Sequence, residues 1–150
     1  MITLKHVQIN GYNYTESGNG NPIIVLHGLM GGLGNFKGFL ENFPNLNYRV
    51  IMPELPIYSS SLIDTNVKYF AKYINKFINF LKLDNVILVG NSLGGHVALV
   101  HAKLFPEQTK ALVLTGSSGL YENSMGDTYP RRGYNVFIKK KTQDVFYSPD

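Results

Sequence analysis

The chain has 150 residues, of which 44% are hydrophobic and only 16% are charged, a composition that indicates a globular domain and excludes an intrinsically disordered chain. The absence of cysteine excludes disulfides and thiolate metal sites. The formal net charge is +4, but the basic residues are scattered apart from clusters at 131–132 and 139–141, which we interpret as a solvated helix face rather than a nucleic-acid footprint.

The start of the chain carries no pattern typical of export. Residues 1–6 are interrupted by polar side chains and contain no long apolar segment, so no signal peptide is predicted. No run of about 18 apolar residues occurs that could cross a bilayer. We therefore expect a cytoplasmic protein with no membrane and no nucleic-acid partner.

The first 26 residues are predicted to form three strands. Segments 4–9 and 13–16 contain apolar or aromatic residues on either side of Asn10-Gly11, a pair that favours a hairpin turn. The next segment, 23–26, is continuously apolar, as in a parallel strand that is buried on both faces. A glycine-rich turn that begins with His27-Gly28 follows it directly.

The middle of the chain alternates helices and strands. Residues 35–43 have apolar side chains at helical spacing and are expected to stop at Pro44, and a strand is predicted over 48–52. Residues 67–81 form the clearest helical pattern, with Asp64 or Ser61 as the expected N-cap. Alternation of this kind predicts right-handed crossovers and a parallel sheet with helices on both faces.

The motif that carries chemistry is Gly90–Gly95, which we call the nucleophile elbow. The apolar strand 86–89 precedes it and a helix predicted over 93–105 follows it, so Ser92 lies on a sharp strand-to-helix turn. Gly90 and Gly94 relieve the crowding that flanking side chains would create there. A serine hydroxyl next to a helix N-terminus suits a nucleophile whose attack creates an oxyanion.

An oxyanion hole needs two N–H donors. The helix after Ser92 supplies one from the backbone of Leu93, and the other must come from a neighbouring loop. The glycine-rich turn after the strand 23–26 can aim a backbone N–H at the same point, and Leu29 is the predicted donor, with Met30 as the second choice. His27 is interpreted as shaping this turn, with Gly28, rather than as a catalytic base.

A buried strand is predicted at 111–114, after Pro106-Glu107 ends the helix. Residues 121–132 are polar and rich in turn formers, and one amphipathic helix is expected after them. Ser148 and Pro149 have the pattern of a helix start, so we expect the chain to be part of a longer one.

Several of these motifs together resemble the α/β-hydrolase family, and between Ile23 and Gly119 they occur in the same order as in that family. They are His27-Gly28 after one predicted strand, residues 53–56 after the next predicted strand, and the nucleophile elbow. The segment 105–114 is also similar to that family. The resemblance implies a mostly parallel sheet flanked by helices, with the first six strands present in residues 1–120. It also implies that residues 121–150 begin a helical cap.

The expected catalytic triad is incomplete in these residues. Such chemistry needs a base and an orienting acid in the chain order serine, acid, histidine. After Ser92 the remaining histidines are His96 and His101, on a helix that leads away from the hydroxyl, and no histidine follows the later aspartates Asp127, Asp144 and Asp150. The acid and histidine are therefore expected beyond residue 150, and these 150 residues alone are expected to be inactive.

Two functions stay open at this point. The first is a serine hydrolase that forms an acyl-enzyme at Ser92 on a small-molecule ester or related acyl substrate, with no metal or organic cofactor. The second is a non-catalytic ligand-binding or interaction module that kept the fold and the elbow. The sequence fixes neither the substrate nor the oligomeric state.

Overall fold

A computed structural model describes residues 3–29, 33–57 and 66–118. These ranges contain six strands and three α-helices. The strands are β1 Lys5–Ile9, β2 Tyr12–Ser17, β3 Asn21–Leu26, β4 Tyr48–Pro53, β5 Val86–Asn91 and β6 Thr109–Thr115. The helices are α1 Leu33–Asn42, α2 Val67–Phe80 and α3 Leu93–Leu104, with 3₁₀ turns at Phe43–Leu46 and Pro106–Gln108.

The strands form one sheet in the order β1-β2-β4-β3-β5-β6. The hairpin β1–β2 and the pair β2–β4 are antiparallel, whereas β4–β3, β3–β5 and β5–β6 are parallel. Asn10 and Gly11 have φ of 49° and 79°, the left-handed conformation that a two-residue hairpin turn of this type requires at both positions. The predicted hairpin and the mostly parallel sheet are confirmed.

The two faces of the sheet are covered by different helices. Along β3, Ile24 and Leu26 belong to a core cluster formed with α2 and α3, whereas Ile23 and Val25 belong to a second cluster formed with Leu40 of α1. Successive strand residues point to opposite faces, so an apolar residue is needed at every position when both faces are buried. This explains the continuous apolar pattern of the strand.

Of two predictions at helix ends, one is wrong and one is confirmed. The N-cap of α2 is Asn66, whose side chain accepts a hydrogen bond from the N–H of Tyr69 at 2.7 Å. Asp64 and Ser61, the predicted caps, lie outside the described residues. The helix predicted over 35–43 is α1 Leu33–Asn42, which ends before Pro44 as expected, and the proline lies inside the following 3₁₀ turn.

The prediction that the strand after the elbow helix is buried is also wrong. In the described part of the chain β6 is an edge of the sheet, and Val113 is 45% exposed. On α3, Leu104 is 37% exposed, whereas His101 is fully buried. The predicted cap segment, 121–150, lies outside the described residues.

Candidate active site

Ser92 stands between the last residue of β5 and the first residue of α3. Its backbone has φ of 52° and ψ of −117°, a conformation that non-glycine residues rarely adopt. Such strain persists only where the surrounding structure holds it, and it concentrates at functional sites. Ser92 is therefore held in a strained turn at the carboxyl end of β5, which is paired with a parallel strand on each side.

The glycines of the elbow allow the backbone segments to approach one another closely. A Cβ added at Gly90 would lie 2.5 Å from the Cα of Gly95, inside the first turn of α3. A Cβ added at Gly94 would lie 2.5 Å from the carbonyl carbon of Leu26 and 2.7 Å from the carbonyl oxygen of His27. Only a hydrogen atom fits at either position, so α3 begins directly against the end of β3.

The turn after β3 lies beside the serine. A Cβ added at Gly28 would lie 3.1 Å from the Cβ of Ser92, so the backbone of Gly28 passes next to that side chain. Leu29, the next residue, is partly buried and packs against the core cluster of α2 and α3. Met30, the second choice for an oxyanion donor, lies outside the described residues. The sequence thus brings the two predicted donor segments, at Leu29 and Leu93, to the same end of the sheet.

His27 joins this turn to the loop after β4. Its side chain is 7% exposed, its Nδ1 lies 2.8 Å from the carbonyl oxygen of Gly28, and its Nε2 accepts the backbone N–H of Leu55 at 3.1 Å. Because Nε2 accepts a hydrogen bond, Nδ1 is the ring nitrogen that donates to the carbonyl oxygen of Gly28. Both ring nitrogens are engaged by the backbone, which fits a residue that shapes the turn.

A second support for the elbow lies at the end of β6, and it was not among the predicted site residues. The carbonyl oxygen of Thr115 accepts hydrogen bonds from the Ser92 N–H at 3.3 Å and from Asn91 Nδ2 at 2.8 Å, and Asn91 Nδ2 also lies 3.2 Å from Thr115 Oγ1. The carbonyl oxygen of Ser92 accepts from the N–H of Ser118 at 3.2 Å and from its hydroxyl at 3.3 Å. Neighbouring parallel strands end at the same edge of a sheet. The predicted strand before Thr115 could therefore have indicated that Thr115 and Ser118 lie beside the elbow.

The two histidines of α3 are buried. The backbone N–H of His96 donates to the Ser92 carbonyl at 3.3 Å, and its side chain is 5% exposed. His101 is 0% exposed, its Nδ1 lies 3.4 Å from the hydroxyl oxygen of Thr109, and its ring packs against Phe105 with 5.2 Å between centroids. Burial lowers the pKa of His101 to about 4, so the ring is neutral at physiological pH.

His101 also lies nine residues along α3 from Ser92, which corresponds to about 13 Å along the helix axis. It is therefore a packed residue of the helix, remote from the serine hydroxyl.

Within the ranges described, no three His, Cys, Asp or Glu side chains come together as metal ligands. The helices in the same ranges are too short or too polar to cross a membrane.

Comparison with known proteins gives a consistent family. A family model described as the alpha/beta hydrolase fold matches residues 21–145. The crystal structure of an alpha/beta hydrolase enzyme from the metagenome of lagoon sediments at Mar Chica, Morocco, is 45% identical, with a TM-score of 0.77 over 95% of this chain and 59% of that one. The epoxide hydrolase of Vigna radiata is 23% identical, with a TM-score of 0.66 over 75% of this chain and 39% of that one, and it shares the fold.

Relatives of known activity are also hydrolases. A 2-hydroxy-6-oxononadienedioate/2-hydroxy-6-oxononatrienedioate hydrolase of Comamonas testosteroni is 33% identical over 133 residues, which are 83% of this chain and 46% of the relative. A 2-hydroxy-6-oxo-6-phenylhexa-2,4-dienoate hydrolase of Burkholderia cepacia is 31% identical over 131 residues, again 83% of this chain and 46% of the relative. The chain spans about half the length of these two hydrolases. With the family match and the sheet topology, these likenesses show that the chain belongs to the alpha/beta hydrolase family.

Proposed function

We propose that the protein is a serine hydrolase, in which the hydroxyl of Ser92 attacks the carbonyl carbon of a small-molecule ester or related acyl substrate. The observation that carries this proposal is the strained backbone of Ser92, with φ of 52°, beside the closely packed turn at Gly28. The family supports a hydrolase, since the related proteins named above are hydrolases.

In the proposed reaction, attack by Oγ turns the substrate carbonyl into a tetrahedral oxyanion. Leu93 is the first residue of α3, where backbone N–H groups have no partner within the helix and the helix dipole favours negative charge. We assign one oxyanion contact to the N–H of Leu93 and the other to the N–H of Leu29. Collapse of the intermediate expels the leaving group, and water then releases the acyl group as a carboxylic acid.

The base that takes the serine proton and the acid that orients it are assigned to residues beyond these 150. His27 has both ring nitrogens engaged by the backbone, and His101 is fully buried. The relatives named above are about twice as long as the aligned segment, which leaves room for both groups. This chemistry requires neither a metal ion nor an organic cofactor.

The names of the two relatives indicate a more specific substrate class to test. Each acts on a 2-hydroxy-6-oxo dienoic or trienoic acid, in which the carbonyl carbon at position 6 is an electrophile that a serine can attack. We include such keto acids beside simple esters as candidate substrates.

The second candidate is a non-catalytic ligand-binding or interaction module of the same fold, favoured by the burial of His96 and His101, the histidines of the helix that follows Ser92. Labelling with a fluorophosphonate separates the two candidates, because this probe reacts with activated serines. The full-length protein should gain one adduct, located at Ser92 by peptide mass spectrometry, and the Ser92→Ala variant should gain none. An unmodified Ser92 under conditions where a control hydrolase reacts would favour the binding module.

A further inference from the structure

The carbonyl group of Ser92 receives more hydrogen bonds than the start of a helix requires. Two donors belong to α3 itself, the N–H groups of Gly95 at 3.1 Å and His96 at 3.3 Å. Two more come from Ser118, beyond the end of β6: its N–H at 3.2 Å and its hydroxyl at 3.3 Å. The contacts from Ser118 link the elbow to a different strand.

This carbonyl shares a peptide group with the proposed oxyanion donor. The peptide bond is planar and trans, so the C=O of Ser92 and the N–H of Leu93 point in opposite directions and rotate together. Donors that hold the Ser92 carbonyl therefore also fix the direction of the Leu93 N–H. Donors of an oxyanion hole act through preorganisation, so their direction matters for the rate.

The preceding peptide group is held from the same side. The N–H of Ser92 donates to the carbonyl oxygen of Thr115 at 3.3 Å, so both peptide groups that flank Ser92 are bonded to the segment 115–118. Because Ser92 has φ of 52° and ψ of −117°, rotation of either peptide would relieve its strain. Hydrogen bonds from a neighbouring strand oppose that rotation.

We propose that Ser118 is a positioning residue, whose hydroxyl and N–H hold the Ser92 carbonyl and thereby aim the Leu93 N–H at the oxyanion. The inference rests on the proposed function, since it assumes that Leu93 is an oxyanion donor. We therefore expect Ser118 to stabilise the transition state and to leave substrate binding unchanged.

The test compares three substitutions in the full-length protein. Ser118→Val and Ser118→Thr have side chains of nearly equal shape, and only the threonine keeps a hydroxyl. Ser117→Ala is the control, because the Ser117 hydroxyl donates to the carbonyl oxygen of Ser118 at 2.9 Å and the Ser92 carbonyl keeps all four of its donors. The readouts are kcat and KM on p-nitrophenyl acetate and the inhibition constant of a trifluoromethyl ketone, which forms a tetrahedral adduct with an active serine.

We expect Ser118→Val to lower kcat about fivefold relative to Ser118→Thr, the effect of one neutral hydrogen bond. KM should stay within about twofold, and inhibition by the ketone should weaken by the same factor as kcat, because both depend on the oxyanion contact. Ser117→Ala should match the wild type. Equal kcat in the valine and threonine variants, or a loss confined to KM, would overturn the inference. If the wild-type protein neither turns over the ester nor binds the ketone, the proposed function itself fails.

Discussion

The backbone N–H of Leu55 donates a hydrogen bond to Nε2 of His27 across 3.1 Å. Leu55 follows β4 and His27 follows β3, two neighbouring parallel strands, so the bond ties together the loops at their ends. On the other side of the ring, Nδ1 lies 2.8 Å from the carbonyl oxygen of Gly28. The imidazole thus holds in place the turn that passes beside the serine.

Replacing His27 by leucine should destabilise the protein. The substitution keeps a side chain of similar volume but leaves the buried N–H of Leu55 without its acceptor, which costs about 1–3 kcal/mol. Urea denaturation of the full-length protein measures the free energy of unfolding. Gln8→Leu is the control, because Gln8 is exposed on β1 and surface substitutions usually change stability by less than about 0.5 kcal/mol. Equal losses in the two variants would contradict the structural role of His27.

The same substitution at two glycines should have opposite effects. Gly94→Ala places a methyl group 2.5 Å from the carbonyl carbon of Leu26, and backbone atoms of a buried strand cannot yield easily. We expect a loss of more than about 3 kcal/mol, or no folded protein. At Gly38, inside α1, the nearest atom to an added Cβ is Asn42 Nδ2 at 4.0 Å. Gly38→Ala should therefore stabilise the protein by about 0.5–1 kcal/mol, and thermal unfolding of the pair checks both signs.

Gly28→Ala is expected to affect activity more than stability. The new methyl group would lie 3.1 Å from the Cβ of Ser92, a distance that forces one of the two to move by a few tenths of an ångström. Because both peptide groups of Ser92 are hydrogen-bonded, the displacement should fall on the turn that contains the proposed Leu29 donor. We expect kcat/KM to fall about tenfold or more, with the melting temperature nearly unchanged. A variant with full activity would show that the turn tolerates the shift.

His101 should make the protein sensitive to acid. Burial lowers its pKa from 6.5 to about 4, so the unfolded state binds a proton more readily than the folded state. The free energy of unfolding is therefore unaffected by this titration above pH 6.5. It decreases as the pH drops from 6.5 to 4, by up to about 3 kcal/mol. His101→Gln removes this titration, so its free energy of unfolding should fall less steeply than that of the wild type in this pH range. Identical pH slopes would refute the assignment.

The order of the elements could be predicted from the sequence because it follows from local chemistry. The hairpin at Asn10-Gly11, the alternation of apolar strands with helices of period 3.6, and the elbow around Ser92 each depend on residues close together in the chain. One error was local, since the N-cap of α2 is Asn66, the residue adjacent to the helix. The other error depended on tertiary context, because in the described part of the chain β6 is an edge strand with Val113 exposed.

The sequence by itself determined that Ser92 follows a buried strand and precedes a helix, because strand, glycines and helix are consecutive. Only the tertiary structure decided what surrounds this serine. Gly28, Thr115 and Ser118 are 64, 23 and 26 residues away from it in the chain, and they meet it because parallel strands end at the same edge of one sheet. Contacts of this kind depend on strand order and register, which local residue patterns do not encode.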